Sequence, residues 1–411
     1  MKKRFILVVL LILIFSCAKK EEPYYMFHIG RDLVITDSTG KILKDTFYNR
    51  INLGYSYEYI NGMDTVYVPK YVKTMDLARG IEVKMFSGMV AIEPKTLRLL
   101  MNYSPSKLTY MKGSFQLIPE DFVGLYKTED GYVIFTTMNI YQTDLDGREK
   151  KVIEVYTSKK YYGFYIEHVD RISPERFLLI GGDKFGIYDI RRDTLIVSKP
   201  KRHSSPVFML NKSIYRLEAT IFEPGKSRYV LLGYNYNGEL VDSMNMPIFK
   251  DQYRIRPYVF KGRLYVMSEN MLYHLNAEDF SVLKKLDLPV EYDSLWNTQK
   301  GFIVYSKRKN QIAKIPKDLS SIQILAKDIN CERVYASMSL IACQRGDSSY
   351  IYDLSFKPVS VYNNALFVKG DFIGTRVGDT LLVFRKGDTF LKVASPYYSY
   401  QKKLQEQEKG E

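Results

Sequence analysis

A strand–turn–strand unit that recurs from residue 24 to the C-terminal region constrains the fold of this chain more than any other feature. One instance runs from the apolar segment 177–180 through Gly181-Gly182-Asp183-Lys184 into the apolar segment 185–190. Comparable units occupy residues 263–275, 301–315, 340–354 and 371–384. No stretch beyond residue 17 keeps a helical period before the polar tail, so the predicted fold class is all-β.

The spacing of these units predicts the architecture. Equivalent strand centres fall at Ile35, Ile92, Tyr141, Tyr188, Tyr234, Tyr273, Ala313, Tyr352 and Val383. Most intervals lie in the range of roughly 35–50 residues that is typical of propeller blades. The first interval between centres is long and the last is short. The nine centres therefore indicate seven or eight blades in one ring, which is closed by joining the two chain ends. We therefore predict a single β-propeller over residues 24–396 and a polar tail over 397–411.

Two β-sandwiches in tandem are the main alternative, since short strands with regular turn signals fit them as well. Such an arrangement should show a linker near the middle of the chain, and no Pro, Gly or Ser cluster there is long enough. The aromatic residues also favour strands, with 35 Tyr and 22 Phe but one Trp, because tyrosine suits half-buried strand positions.

The N terminus has the layout of an export signal. Met1-Lys2-Lys3-Arg4 precedes an uncharged apolar run over 5–15, as in a secretory signal peptide. A membrane-spanning helix is the alternative, but it needs about 20 apolar residues, roughly twice the length of this run.

Ile14-Phe15-Ser16-Cys17 resembles the lipobox of bacterial lipoproteins. The resemblance implies lipidation of the Cys17 thiol, cleavage before Cys17, a signal peptide over 1–16 and a solvated tether over 17–23. A chance cysteine after an ordinary signal is the alternative. Ala18 lacks the aspartate that retains such proteins at the inner membrane in enterobacteria. We expect a lipid-anchored envelope protein, at the periplasmic face of an outer membrane if the host has one, or otherwise on the outer face of the cytoplasmic membrane.

The charge of the chain bears on its partners. Removal of residues 1–16 takes away Lys2, Lys3 and Arg4, so the formal net charge falls from +14 to +11. Export makes nucleic acid an improbable partner and favours anionic lipid, an anionic envelope polymer or an acidic protein; a merely soluble surface is the alternative. Two basic loops could join into a binding face or could be solvated turns, and they contain Lys199, Lys201 and Arg202, and Lys307, Arg308 and Lys309.

Cys331 and Cys343 are the two cysteines that the anchor does not use. A hairpin that turns about Ser337 would place them opposite each other, and outside the cytoplasm such a pair can oxidise. Two buried thiols are the alternative.

The units also resemble the quinoprotein-like (PQQ-like) and YVTN-type propeller repeats. Ile35-Thr36-Asp37-Ser38-Thr39-Gly40 is similar to the strand, aspartate and Thr-Gly of that repeat, although it is one residue short. The segments 90–96 and 272–279 keep less of it, and the docking tryptophans are absent. The resemblance implies the propeller fold, and lipoproteins with such propellers include a scaffold of outer-membrane protein assembly.

Catalytic motifs do not emerge from the sequence. The chain has no G-x-S-x-G elbow, and its histidines, His28, His168, His203 and His274, lack metal-ligand spacing. We therefore predict no catalytic residue, metal or cofactor, and a monomeric propeller that binds another envelope protein or polymer. The alternatives are an exported glycan lyase or hydrolase, whose carboxylates would come from different blades, and a propeller that binds a small ligand or sugar.

Overall fold

The computed structural model describes residues 25–60, 62–76, 81–107, 110–112, 117–161, 163–182, 184–198, 206–221, 228–250, 254–346, 348–363, 367–377, 379–385 and 388–408. The predicted signal peptide over 1–16, Cys17 and the tether over 17–23 lie outside these residues, and so do Lys199, Lys201 and Arg202. In the described part of the chain, no helix is both long and apolar enough to cross a membrane.

The described strands form eight four-stranded sheets and one three-stranded sheet, which we call blades 1 to 9 in chain order, and one two-stranded hairpin. Neighbouring strands of the four-stranded blades run antiparallel. Blade 1 contains β1 (Tyr25–Ile29), β2 (Asp32–Thr36), β3 (Ile42–Phe47) and β4 (Tyr55–Tyr59); blade 2 contains β5 (Val66–Asp76), β6 (Ile81–Glu93) and β7 (Arg98–Tyr103); the hairpin contains β8 (Tyr110–Lys112) and β9 (Leu117–Pro119).

The remaining blades follow in sequence order. Blade 3 contains β10 (Phe122–Lys127), β11 (Tyr132–Thr136), β12 (Asn139–Thr143) and β13 (Glu149–Glu154); blade 4 contains β14 (His168–Ser173), β15 (Arg176–Gly181), β16 (Lys184–Asp189) and β17 (Thr194–Val197); blade 5 contains β18 (Val207–Leu210), β19 (Ser213–Ile221), β20 (Arg228–Tyr234) and β21 (Leu240–Asn245). Blade 6 contains β22 (Arg256–Phe260), β23 (Arg263–Met267), β24 (Met271–Leu275) and β25 (Val282–Asp287); blade 7 contains β26 (Ser294–Thr298), β27 (Gly301–Ser306), β28 (Gln311–Ile315) and β29 (Gln323–Ala326). Blade 8 contains β30 (Arg333–Ala336), β31 (Leu340–Arg345), β32 (Ser348–Asp353) and β33 (Pro358–Asn363); blade 9 contains β34 (Phe367–Lys369), β35 (Phe372–Val377), β36 (Thr380–Arg385) and β37 (Asp388–Ala394).

Helical structure is sparse in the described residues. One α-helix, α1, spans Pro396–Glu408 and overlaps the predicted tail over 397–411, and short 3₁₀ turns span Lys159–Tyr161 and Pro247–Phe249. The chain divides into two compact units. The first comprises residues 1–68, 91–100 and 365–411, with blades 1 and 9, and the second comprises residues 69–90 and 101–364, with blades 3 to 8.

The all-β, propeller-type fold is confirmed, but the prediction of seven or eight blades is wrong because the described residues form nine. Each of the nine predicted strand centres lies in a different blade, from Ile35 in β2 to Val383 in β36. The prediction assumed that the two chain ends share a blade. Instead, all four strands of blade 1 follow one another in the sequence. The chain returns after β3 and β4 pairs with β1, which gives the strand order β3-β2-β1-β4.

Burial explains why the strand signal in the sequence is a run of apolar residues rather than a strict alternation. Every residue of the middle strands β1, β2, β11 and β27 is buried, whereas the outer strands β3 and β25 are mostly exposed. A strand that is covered on both faces needs apolar side chains at successive positions, because successive residues point to opposite faces.

The motif that resembles the quinoprotein-like repeat is a turn into the outermost strand of a blade. In blade 1, Asp37 Oδ1 accepts hydrogen bonds from the backbone amides of Thr39 at 2.8 Å and Lys41 at 3.0 Å, and Gly40 has a φ of +91°. The same carboxylate or amide acceptor recurs at Asp144, Asn235, Asn276 and Asp353. An Asp or Asn followed by a left-handed residue is therefore the local signal that repeats, because it supplies the acceptor and the turn.

Blades 1 and 9 pack on each other within the first unit. Phe27, Phe372 and Leu391 belong to one buried cluster, and Lys369 Nζ on β34 donates to Ser56 Oγ and to the carbonyl of Tyr57 on β4, at 3.0 and 3.1 Å. The first and last blades of the chain are therefore neighbours.

Asp32 joins the start of helix α1 to blade 1 through hydrogen bonds. Its side chain is buried and accepts hydrogen bonds from Ser395 Oγ at 2.5 Å and from the backbone amide of Tyr397 at 2.8 Å, with Arg376 Nη2 at 3.4 Å. Ser395 also caps the helix, because its hydroxyl accepts the backbone amide of Tyr398 at 3.2 Å. Burial raises the pKa of Asp32 above its ordinary value, and the two hydrogen bonds and Arg376 oppose that rise.

Cys331 and Cys343 are joined by a disulfide in blade 8, with their Cα atoms 5.4 Å apart. They are not register partners, however, because Cys343 faces Val334 across the β30–β31 ladder. The expected turn about Ser337 is wrong: the backbone amide of Ser337 donates to the carbonyl of Leu340 at 2.8 Å, so the turn is centred further along the chain. Cys331 therefore precedes β30, and its side chain reaches Cys343 from outside the ladder.

We predict that the stability of the native chain relative to the Asp32→Asn variant falls as the pH rises from about 4 towards 7. The raised pKa means that the folded chain binds this proton more tightly than the unfolded chain does. The resulting stabilisation is complete below the unfolded pKa and is lost as the pH rises through the folded pKa. Urea unfolding of both proteins across this range measures the difference, and a difference independent of pH would contradict the prediction.

Candidate functional site

The predicted basic loops are only partly described. Lys307, Arg308 and Lys309 lie exposed on the turn between β27 and β28 in blade 7, and the backbone amide of Lys307 donates to Asp293 Oδ2 at 2.7 Å. Lys199, Lys201 and Arg202 lie outside the described residues, so a shared binding face stays a prediction.

The histidines lie apart. His28 is buried in blade 1, His274 is half-buried in blade 6, and His203 lies outside the described residues. His168 is exposed on β14, where its Nε2 lies 3.0 Å from Asp170 Oδ2, and this hydrogen bond raises the pKa of His168. Among the residues that the structure describes, no three His, Cys, Asp or Glu side chains are grouped as metal ligands.

A cleft of about 640 Å³ opens between blades 3 and 4, within the range of roughly 300–1,000 Å³ that is usual for ligand sites. Half of its lining residues are charged. The cations are Lys127, Lys150, Arg171 and Arg191, and the carboxylates are Glu129, Asp130 and Glu175. Most of them lie on or beside the turn between the first and second strands of each blade, so two equivalent turns form the two walls.

The wall from blade 3 is the turn over 128–131. The backbone amide of Thr128 donates to the carbonyl of Gly131 at 2.9 Å, and Lys150 Nζ donates to the carbonyl of Asp130 at 3.0 Å. Gly131 has a φ of +155°, and a Cβ at this position would lie 1.8 Å from the carbonyl oxygen of Thr143. Only glycine therefore allows the turn to lie against the end of β12.

The wall from blade 4 is built around Arg171. Its Nε donates to the carbonyl of Ser173 at 3.2 Å and its Nη2 to the carbonyl of Pro174 at 2.6 Å, which fixes the guanidinium against its own turn. Glu175 completes this wall, because Arg191 Nε lies 2.6 Å from Glu175 Oε1.

Direct contacts hold the two walls at a fixed separation. Tyr126 donates from its hydroxyl to the carbonyl of Val169 at 2.9 Å, and Gln142 donates from its side-chain amide to the hydroxyl of Tyr188. Burial raises the pKa of Tyr188 to about 12, so this hydroxyl stays neutral. Lys151 and Asp193 form an ion pair between the same two blades.

The electrostatics of the cleft suit a ligand with anionic groups. Arg191 is paired with Glu175, whereas neither Lys127 nor Arg171 has a carboxylate oxygen within 4.0 Å in the described part of the chain. Both side chains are exposed at the cleft. The two cations can therefore bind an anionic group of a ligand, and the three carboxylates can accept hydrogen bonds from donors on the same ligand.

The sequence alone does not indicate this site, because its residues come from two blades. Lys127 and Arg171 are 44 residues apart, and neither belongs to a motif. The one feature of the sequence that could have indicated the site is the position of two charged turns within the repeat. Thr128-Glu129-Asp130-Gly131 and Ser173-Pro174-Glu175 occupy the same turn of successive repeats. An alignment of the repeats by strand would have placed their charges side by side.

No family model and no curated protein matches the chain. Solved structures resemble it in fold. A crystal structure of the eukaryotic initiation factor is 9% identical, with a TM-score of 0.48, over 92% of this chain and 97% of that one. The dihydro-heme d1 dehydrogenase NirN in complex with DHE is 9% identical, with a TM-score of 0.43, over 84% and 74%. Hsv2 of Kluyveromyces lactis is 10% identical, with a TM-score of 0.40, over 72% and 99%. We draw no functional conclusion from likenesses at this level.

We predict that Gly131→Ala lowers the free energy of unfolding by about 3 kcal/mol, because the new methyl group collides with the backbone of Thr143. Gly182→Ala is the matched control: Gly182 also has a positive φ, but a Cβ there meets no described atom within 4 Å. The control should therefore lower the free energy of unfolding only by the cost of its left-handed backbone conformation, about 1 kcal/mol. Equal losses in urea unfolding would mean that the close approach at Gly131 does not support the cleft wall.

Proposed function

We propose that this chain is an exported lipoprotein, anchored at Cys17, whose propeller binds another protein or an anionic polymer of the cell envelope. Its role in this proposal is that of a scaffold without catalysis. In this proposal the cleft between blades 3 and 4 is the binding site.

The anchor part of the proposal is supported by the sequence. A cationic start, a short apolar run and Ile14-Phe15-Ser16-Cys17 follow one another directly. Two or three acyl chains hold a protein stably on a membrane, whereas one binds only marginally. The charged segment 18–23 suits a solvated tether between lipid and propeller.

The observation that carries the binding part is the charged lining of the cleft. Two rigid β-turns present exposed cations and carboxylates to a volume large enough for a ligand. Binding residues commonly lie on loops that a rigid scaffold positions. The net charge of +11 on the predicted mature chain would favour encounter with anionic partners.

We predict that Cys17→Ser abolishes incorporation of radiolabelled palmitate, because the thiol is the acceptor of the lipid. Ser16→Ala is the matched control, since it keeps a small residue before the cysteine and should retain the label. Labelling of the full chain in a bacterial host, followed by fractionation of membranes, gives the measurement. Label that survives Cys17→Ser would refute the anchor.

We predict that a photo-crosslinking residue at position 127 captures an envelope component in cells, whereas the same residue at position 192 captures far less. Lys127 lines the cleft, and Arg192 is exposed on blade 4 but does not line it. Crosslinked products are compared on gels after lysis and after digestion with protease or glycosidase, which separates protein from polymer. Equal capture at both positions would refute the cleft as the binding site.

A further inference from the structure

We infer that the ligand of the cleft between blades 3 and 4 is an acidic polysaccharide, whose sugar carboxylate is held by Arg171. This inference rests on the proposed function, because it names the class of partner that the same cleft takes.

Arg171 is a preorganised anchor for an anion. Two of its N–H groups donate hydrogen bonds to the carbonyls of Ser173 and Pro174, and its guanidinium carbon lies 5.9 Å from the centre of the Phe177 ring. A guanidinium carries five N–H groups in a fixed fork that matches the two oxygens of a carboxylate. The side chain is thus already ordered, so a ligand meets a smaller entropy cost when it binds.

The other charges of the cleft indicate which anionic ligand fits. Glu129 and Asp130 on one wall and Glu175 on the other are acceptors, and they stand among the cations. A ligand that satisfies both sets needs an anionic acceptor and neutral hydrogen-bond donors close together. A uronic acid unit has this combination, because its carboxylate and its hydroxyl groups share one ring. The side chains of an acidic peptide offer carboxylates and no neutral hydroxyl donors, so they would leave these three acceptors without donors.

The openness of the cleft favours a polymer over a single sugar. Lys127, Glu129, Asp130, Arg171 and Arg191 are all exposed while they line it. A chain longer than the cleft can therefore lie across the two turns, and successive units can meet cations from both blades. The flanking Lys127 and Lys150 would add attraction that salt weakens.

The inference is tested by calorimetry, in which the lipidated chain that begins at Cys17 is titrated with oligogalacturonate in detergent micelles. We expect binding that weakens with added salt, and a loss of about tenfold or more in affinity for Arg171→Gln, since a bidentate charged contact disappears. Arg192→Gln, in the same blade but outside the cleft, should stay within about twofold of the native chain.

A second variant keeps the test informative if Arg171→Gln misfolds. The side chain of Lys127 makes no hydrogen bond or ion pair in the described part of the chain, so Lys127→Gln removes a cleft charge without breaking a polar side-chain contact. It should also weaken binding of oligogalacturonate. Native affinity in both variants would overturn the inference.

Two further probes separate the class of ligand from the charge alone. Fully methyl-esterified oligogalacturonate keeps the hydroxyls and loses the carboxylates, and it should bind far more weakly; equal binding would overturn the role of Arg171. Poly-L-glutamate that binds as tightly as oligogalacturonate would overturn the polysaccharide class. If oligogalacturonate fails to bind while crosslinking from position 127 persists, this inference fails and the proposed function stands. If both fail, the proposed function fails as well.

Discussion

The packing of one blade against the next is the constraint on which the rest of this structure depends. Middle strands such as β11 and β27 are buried on both faces, and residues such as Phe135, Phe177 and Val304 are fully inaccessible. A sheet of this kind cannot shield both faces by itself, and each fully buried Val, Leu, Ile or Phe side chain is worth about 1.5–3 kcal/mol of stability. The clusters that join neighbouring blades, for example Phe135 in blade 3 with Phe177 and Tyr188 in blade 4, supply that cover.

The chain ends face the same requirement. Blade 1 is covered on one side by blade 9, where aromatic rings such as Phe27 and Phe372 meet with their centres 5.5 Å apart. The buried carboxyl of Asp32 then ties the start of helix α1 to blade 1 through Ser395 and Tyr397. Blade 1 supplies its own β4. In the described part of the chain, blades 1 and 9 are therefore joined by side-chain packing and a few polar contacts, without a shared sheet.

The candidate binding site follows from the same packing. Turns between first and second strands recur at one end of each blade, and blades 3 and 4 are fastened by Tyr126, Gln142 and the Lys151–Asp193 pair. The fastening sets the distance between Arg171 on one wall and the turn at Gly131 on the other. A site built this way owes its chemistry to exposed turn residues and its geometry to buried ones.

The sequence alone predicted the features that depend on near neighbours along the chain. It predicted the all-β class and nine strand centres, because an apolar run and a polar turn are local signals. It also showed the Asp37-type turn motif, whose hydrogen bonds join residues two and four positions apart. The number of blades, the register of Cys331 and Cys343, and the placement of Lys127 and Arg171 in one cleft became apparent only in the folded chain. These depend on which strands pair at the chain ends, where a hairpin turns and which turns two packed sheets bring together. Each outcome is a sum of many contacts between residues that are distant in sequence, and no single motif encodes that sum.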